Sequence, residues 1–241
     1  MTTPDMAGSG TTWPRQLRLP GQAAAPEGPL DMQMMYLMHH AFRRDLDAFA
    51  AAVRNTPVDD RRTWRLLAER WELFAEVLHK HHTAEDGLIW PALTSLGSAE
   101  DVVVLEAMEA EHEEIDPLLE SCAAGFRRLA QRPDEDARAA LAVRVSAARE
   151  SLRRHLGHEE SSAIAIAQRL IDAERWEAIE REIGRDYSFG FAVRVVPWVA
   201  HGVPREPLER VFAQIETPFR VIWRLTRRRF ARQEERVFRY A

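Results

Sequence analysis

The sequence predicts an all-α protein, an up-down-up-down antiparallel four-helix bundle with a helical C-terminal extension. Within four long segments, apolar residues recur at alternating steps of three and four, the spacing of the buried face of a bundle helix. The alternation of apolar and polar residues that is typical of strands is almost absent from these segments. The connections between them are short, so consecutive helices are expected to be antiparallel neighbours.

Capping residues, prolines and glycines set the bounds of the four predicted helices. Asp31 is the expected N-cap of the first helix, which stops before Pro57. Pro91 is expected to end the second helix, and Ser98 and Asp101 resemble a capping box at the start of the third. The predicted spans are 31–54, 60–89, 98–129 and 134–170.

Composition and periodicity divide the chain into three predicted regions. Residues 1–30 are rich in Gly, Pro, Thr and Ala and are interpreted as a flexible N-terminal arm, from which Trp13 and Leu17 can still dock on the body. Residues 31–170 form the bundle. Residues 171–241 form the helical extension, which is expected to pack on the bundle.

The extension is predicted to contain a short helix over 173–183, an apolar stretch over 191–200 that Pro197 interrupts, and a final helix from about Pro204. The final helix has a basic end, formed by Arg224, Arg227, Arg228, Arg229 and Arg232. One interpretation is a contact with an anionic membrane surface or with nucleic acid. The favoured interpretation is a lid helix with a solvated arginine face, balanced by Glu234 and Glu235.

Composition is that of an ordinary globular protein. The net charge of −5 is not that of a nucleic-acid-binding protein. The single cysteine, Cys122, excludes an internal disulfide and a cysteine-based metal cluster and suits the cytoplasm. Neither a signal peptide nor an apolar stretch long enough to span a bilayer is predicted. Lys80 is the single lysine among 33 basic residues, which indicates a codon bias toward arginine.

Six strongly polar residues interrupt the otherwise apolar inward faces of the helices. They are His39, His81, Glu85, His112, His155 and Glu159. In an antiparallel bundle the starts of the first and third helices meet the ends of the second and fourth, so all six are expected at one level near one end. Buried charges are costly unless something pairs them, and a metal ion does so directly. The sequence therefore predicts a metal site.

The composition of this set indicates the kind of site. His81 and Glu85, and likewise His155 and Glu159, lie one helical turn apart on the same face. Four imidazoles and two carboxylates suit two ions that the carboxylates bridge. Nitrogen and oxygen donors without thiolate favour iron, manganese or zinc. The histidine-first step of four also differs from the Glu-x-x-His pattern of ferritin-like di-iron proteins.

Several polar neighbours lie beside these six positions but off the inward face. The favoured interpretation is a solvated position, or one that supports a ligand from behind, for His40, His79, His82, His158, Asp86 and Glu160. The corresponding expectation is that His81→Ala loses metal while His82→Ala largely keeps it. Asp116, four residues after His112, is within reach of an ion, although Pro117 is expected to disturb the helix there.

Four segments resemble the hemerythrin-like HHE cation-binding domain, in order along the four predicted helices. They are 37–46 (LMHHAFRRDL), 79–86 (HKHHTAED) with Trp90 and Pro91, 109–114 (EAEHEE) and 155–160 (HLGHEE). The resemblance covers about residues 31–170 and looks closest to versions found in actinobacteria. It implies a non-heme di-iron centre on the same six residues, with Glu85 and Glu159 bridging the ions. It also implies a protein that binds or senses dioxygen or a related small molecule, such as nitric oxide or peroxide.

One departure from the family pattern bears on activity. Oxygen-carrying hemerythrins resemble each other in having two histidines four residues apart on the third helix, whereas here Met108 and Asp116 lie four residues before and after His112. One iron would then take water or Asp116 in place of an imidazole, which leaves a position for reactive molecules. Three alternatives stay open: a binding or sensing protein, a di-iron oxygenase or peroxide-decomposing enzyme, and an iron-handling or regulatory module. The sequence names no co-substrate, protein partner or oligomeric state.

Overall fold

The computed structural model describes residues 13–185, 187–215 and 217–241, and every regular element in these ranges is helical, which confirms the predicted all-α class. The α-helices are α1 (Gln33–Asn55), α2 (Arg61–Ala84), α3 (Trp90–Thr94), α4 (Ala99–Gln131), α5 (Glu135–His158), α6 (Ile164–Leu170), α7 (Ala173–Arg185), α8 (Phe189–Ala200), α9 (Arg205–Gln214) and α10 (Thr217–Val237). Two π turns, Glu85–Ile89 and Glu159–Ala163, join α2 to α3 and α5 to α6. In the part of the chain that is described, no helix is both long and apolar enough to cross a membrane.

The four long helices α1, α2, α4 and α5 pack side by side as the bundle, with α2 against α4, α4 against α5 and α1 against α5. Aromatic rings dominate its core: Phe49 and Trp71 meet edge to face with their centroids 4.9 Å apart. Ring contacts continue from Phe49 through Phe74 and Phe42 to His81. Aromatic rings bury large areas in defined geometries, so the packed core extends without a break to the predicted metal site.

The two π turns correct the predicted course of the second and fourth helices. The N–H of Trp90 donates to the carbonyl of Glu85, and that of Ile164 donates to the carbonyl of Glu159, five residues back in each case. The prediction that Pro91 ends the helix is wrong, because Pro91 lies inside α3. It is tolerated at the start of α3 because the π turn has already interrupted the ladder of bonds to the fourth residue back.

Helix α4 begins with the predicted capping box. The Ser98 hydroxyl accepts from the N–H of Asp101, and the Asp101 carboxylate accepts from the N–H of Ser98 at 2.9 Å. The expected disturbance at Pro117 does not end the helix, which continues through it. Pro117 and Glu113 are exposed, so the Glu113 carbonyl that loses its helical partner can bond to water.

The segment 13–30, called the N-terminal strap below, runs over the bundle in an irregular course. Leu17 and Leu30 are buried in the core. The Gln168 side chain accepts from the N–H of Leu30 and donates to its carbonyl, both at 2.9 Å. Residues 1–12 of the predicted arm lie outside the described residues, and the boundaries of the three predicted regions stay a prediction.

Helices α7 to α10 make up the C-terminal extension. At its junction with the bundle, Asp45 of α1 accepts from Arg70 Nε at 2.8 Å and from Trp198 Nε1 at 2.9 Å. Arg70 also pairs with Glu234 of α10 at 2.9 Å. The prediction that Glu234 balances a solvated arginine face is therefore wrong, since Glu234 is buried. Pro197 does not interrupt the apolar stretch, because it lies inside α8.

Candidate metal centre

The structure brings all six predicted ligand residues together in one buried cluster between the four long helices. The contributions are His39 from α1, His81 from α2, His112 from α4, His155 from α5, and Glu85 and Glu159 as the first residues of the two π turns. Each carboxylate thus enters the cluster at the point where a helix changes from α to π. Single-turn π segments inside α-helices are frequent at functional sites.

A first donor group consists of His39, His81, Glu85 and Glu159, whose ligand atoms all lie within 4.8 Å of one another. His39 Nε2 lies 3.1 Å from Glu159 Oε2, and His81 Nε2 lies 3.0 Å from Glu85 Oε1. The two Nε2 atoms are 3.3 Å apart. Metal–ligand bonds of about 2.0–2.2 Å place neighbouring ligand atoms about 3 Å apart, so these spacings fit one ion.

A second donor group consists of His82, Glu85, His112 and His155, again with ligand atoms within 4.8 Å of one another. His112 Nε2 lies 3.1 Å from His155 Nε2 and 3.5 Å from Glu85 Oε2. Glu85 belongs to both groups and directs one oxygen toward each. Glu159 also approaches the second group, with Oε2 3.8 Å from His155 Nε2. The arrangement fits two adjacent ions that share a carboxylate.

Three of the imidazoles are oriented from behind by carboxylates. The Nδ1 atoms lie 2.9 Å from Glu160 in His39, 2.8 Å from Asp86 in His112 and 2.9 Å from Glu111 in His155. A carboxylate that accepts the Nδ1–H selects the tautomer whose Nε2 is free to bind a metal. Asp86 and Glu160 therefore lie where the sequence analysis placed supporting residues, whereas Glu111 is a supporting residue that it did not find.

Glu160 is held by more partners than the other two supporting carboxylates. It is fully buried, and Arg43 donates to its two oxygens at 2.6 and 2.9 Å. The N–H of Ala23, in the N-terminal strap, donates to it at 2.7 Å. Burial alone would raise the pKa of Glu160, but the bonds from His39 and Arg43 outweigh it and lower that pKa. The strap, α1 and the second π turn together orient His39.

The carboxylates of Glu85 and Glu159 fit a metal because the described residues pair them with imidazoles and with no arginine or lysine. Both are buried, and within the described residues none of their four oxygens accepts a hydrogen bond of good geometry. Burial and the nearby charge of Glu159 raise the pKa of Glu85 well above its ordinary value. Two adjacent buried carboxylates resist ionising together. A cation between them removes that penalty, so the residues present fit a di-metal site.

The pKa values of the imidazoles in the cluster shift in opposite directions. Burial opposes a proton on His39, but Glu159 outweighs it and raises the pKa of His39 to about 9. Burial, followed by the neighbouring His39, lowers the pKa of His81 to about 3. Burial, followed by the neighbouring His112, lowers the pKa of His82 well below its ordinary value. Neutral imidazole is the form that binds metals, so His81 and His82 are available as donors at neutral pH.

His82 is the residue that the sequence analysis misplaced. It is 3% exposed and belongs to the second donor group, so, of the two positions favoured for it, the solvated one is wrong. The inward face of α2 is wider than one row of residues, since Val77 and Leu78 are both buried one turn earlier. Steps of four from this buried pair lead to His81 and His82, and that doubled spacing is the signal that could have identified His82.

The other neighbouring polar residues lie outside both donor groups. Asp116 is exposed and does not complete the site. His79 is exposed, and His158 is half-buried with its Nδ1 2.9 Å from Glu111. His40 is buried, and burial lowers its pKa.

The fold and the cluster define the class of protein: an all-α helical bundle whose two buried His/Glu groups are consistent with a di-metal site. A family model described as Hemerythrin HHE cation binding domain matches residues 31–167, more than half of the chain. The chain therefore belongs to the hemerythrin HHE cation-binding family. No curated protein and no solved structure is significantly similar to it.

Proposed function

We propose that this chain is a non-heme di-iron protein that binds or senses dioxygen or a related small molecule, such as nitric oxide or peroxide. The observation that carries the proposal is the sharing of Glu85 by two buried donor groups. A shared carboxylate holds two ions side by side, and adjacent ions can act on one small ligand. Membership of a cation-binding family supports the metal, and nitrogen and oxygen donors without thiolate support iron over softer metals.

The chain itself supplies the ligands, their orientation and a dry surrounding. The residues that would hold the ions are His39 and His81 on one side, His112 and His155 on the other, and Glu85 and Glu159 between them. Bound iron supplies the redox-active centre at which diatomic ligands bind. The carboxylates behind the imidazoles hold the Nδ1 protons, and Phe42, fully buried with its ring 5.3 Å from that of His81, excludes water on that side.

Anaerobic reconstitution with iron(II), followed by metal counting and absorption spectroscopy, tests the proposal. We expect two iron ions per chain and an optical change when oxygen is added. A change that reverses on removal of oxygen supports a binding or sensing protein, whereas bleaching or turnover with a co-substrate identifies an oxidative enzyme. A stoichiometry far below two, or retention of manganese or zinc in competition with iron, would contradict the di-iron assignment.

We further propose that the protein acts in the cytoplasm, on a small molecule and not on nucleic acid. The net charge of −5 and the buried, unpaired Cys122 support this. The arginine bias, with Lys80 as the single lysine, supports a hemerythrin-like protein of the type found in actinobacteria. Sedimentation with anionic vesicles tests the competing interpretation of the basic end of α10, a contact with a membrane surface.

A further inference from the structure

The side chain of His82 is buried in a way that hydrogen bonding does not explain. It is 3% exposed, and neither of its ring nitrogens has a hydrogen-bond partner among the residues that the structure describes. Buried polar atoms without partners are uncommon and costly, and each one requires a reason. By contrast, the Nδ1 atoms of His39, His112 and His155 each meet a carboxylate.

The rings of three other histidines of the cluster, His81, His112 and His155, lie against His82. It stacks on His112 with ring centroids 3.8 Å apart and planes 8° from parallel. It meets His155 edge-on, with centroids 5.4 Å apart and planes at 80°. One of its nitrogens lies within 4.8 Å of the ligand atoms of Glu85, His112 and His155. His82 thus has the position and burial of a ligand, without the hydrogen-bond partners of a structural histidine among the described residues.

We infer that His82 is a ligand of the second metal ion, as a third imidazole beside His112 and His155. The inference rests on the proposed dinuclear centre. It gives the two ions different environments, because the first donor group holds two imidazoles and the second holds three. It also replaces the expectation that His82→Ala largely keeps its metal.

Cobalt(II) titration of the purified full chain tests this ligand role, with H82Q as the variant and H79Q as its matched control. His79 is exposed on the same helix, one turn before His82. We expect two cobalt ions per chain in the wild type and in H79Q. In H82Q the second ion should bind at least about tenfold more weakly, since even residues behind a ligand are worth 10–100-fold in affinity. Equal affinities in H82Q and the wild type would overturn the inference.

A second variant separates ligation from ring stacking. H82F keeps a planar ring against His112 but removes both nitrogens. If His82 is a ligand, H82F should lose the second ion as H82Q does; if H82F keeps both ions, His82 only fills space and the inference is wrong.

A direct measurement on the unmutated chain covers the case in which the variants fail to fold. In protein labelled with ¹⁵N-histidine and loaded with ¹¹³Cd, a ring nitrogen of His82 should show one-bond coupling to cadmium. A His82 signal without coupling, alongside coupled signals from His112 and His155, would overturn the inference while leaving the dinuclear proposal intact. A wild type that binds no pair of ions contradicts the proposed function itself, whatever His82 does.

Discussion

The bundle buries two clusters of ionisable side chains, and they are built in opposite ways. The Asp45 cluster contains its own cations: Arg44 donates to the Asp45 carboxylate at 2.7 Å and Arg70 at 2.8 Å, and Trp198 adds a third donor. Burial alone would raise the pKa of Asp45, but Arg44 and Arg70 outweigh it and lower that pKa. The chain satisfies this charge by itself.

The candidate metal centre is not satisfied in this way. Across the described ranges, Glu85 and Glu159 form ion pairs with imidazoles and with no arginine or lysine. Their oxygens, and the ring nitrogens of His82, lack hydrogen-bond partners there as well. A buried cluster that pairs its own charges acts as a structural joint, whereas one that leaves several donors unpaired is shaped for an ion from outside the chain.

The largest effect is expected from the ligand that both groups share. E85Q keeps the size of the side chain but replaces the carboxylate that both donor groups share by a weak neutral ligand, so we expect both ions to be lost. The metal-free variant should be at least as stable as the metal-free wild type, because it no longer places two carboxylates side by side in the core.

Metal counting and thermal unfolding measure these two outcomes. E113Q is the control, since Glu113 is exposed on α4 and belongs to neither donor group. An E85Q protein that retains both ions would show that Glu85 does not join the two groups.

The Asp45 cluster should respond with the opposite signature. D45N removes the anion between Arg44 and Arg70, and breaking a buried ion pair on one side typically costs about 3–5 kcal/mol. We expect a loss of that size in the free energy of unfolding, measured by denaturant titration, while the folded variant binds metal as the wild type does.

D47N is the control for this substitution. Asp47 is exposed on the same helix, where it pairs with Arg153, and such surface pairs contribute about 0–1 kcal/mol. If D45N loses metal affinity as strongly as E85Q, the two clusters are one functional unit and the distinction between them is wrong.

The sequence predicted the metal centre far more completely than the Asp45 cluster, and the reason is physical. Each of the six predicted ligand residues replaces an apolar residue in a regular spacing, so the misfit is visible within a single helix. Along the chain, Arg70 lies 25 residues from Asp45 and 164 residues from Glu234, so no local pattern links the three. For that reason the sequence predicts a solvated position for Glu234, which is instead buried.

The features missed at the metal centre have a different cause. One row of inward residues per helix describes α4 and α5 well. Helices α1 and α2 also bury residues beside that row near the site, and His82 is one of them. The π turns depend on bonds to the fifth residue back, which the tertiary environment selects and which no residue type encodes. Pro91 predicts a helix end because proline cannot donate to the fourth residue back. After the π turn Glu85–Ile89 that bond is already interrupted, so the helix continues through Pro91.

Glu160 combines features of both clusters, because it contacts His39 of the candidate metal centre and, like Asp45, accepts from a buried arginine. Its substitution should therefore affect both metal binding and stability. E160Q weakens the orientation of His39 and leaves Arg43 buried without an anion. We expect metal affinity to fall by about 10–100-fold and the metal-free protein to lose stability as well.

In D86N we expect a similar loss of affinity but near wild-type stability, because the Asp86 side chain is 40% exposed and no arginine pairs with it within the described residues. Isothermal titration with cobalt(II) and unfolding of the metal-free proteins would measure both; equal destabilisation by D86N would contradict this assignment.

The smallest effect is expected at the edge of the Asp45 cluster, where pairing is incomplete. Burial raises the pKa of Glu234 from an ordinary 4.5 to about 7, against the opposing charge of Arg70. Between these values the folded protein binds more protons than the unfolded chain, so this residue makes stability fall as pH rises from about 4.5 to about 7, with no further change above. E234Q should flatten that part of the stability profile, whereas E235Q, at an exposed neighbour, should keep it. Unfolding midpoints measured from about pH 5 to about pH 8 decide the matter. If E234Q keeps the wild-type slope, Arg70 holds Glu234 ionised throughout, and the Asp45 cluster is then fully paired out to α10.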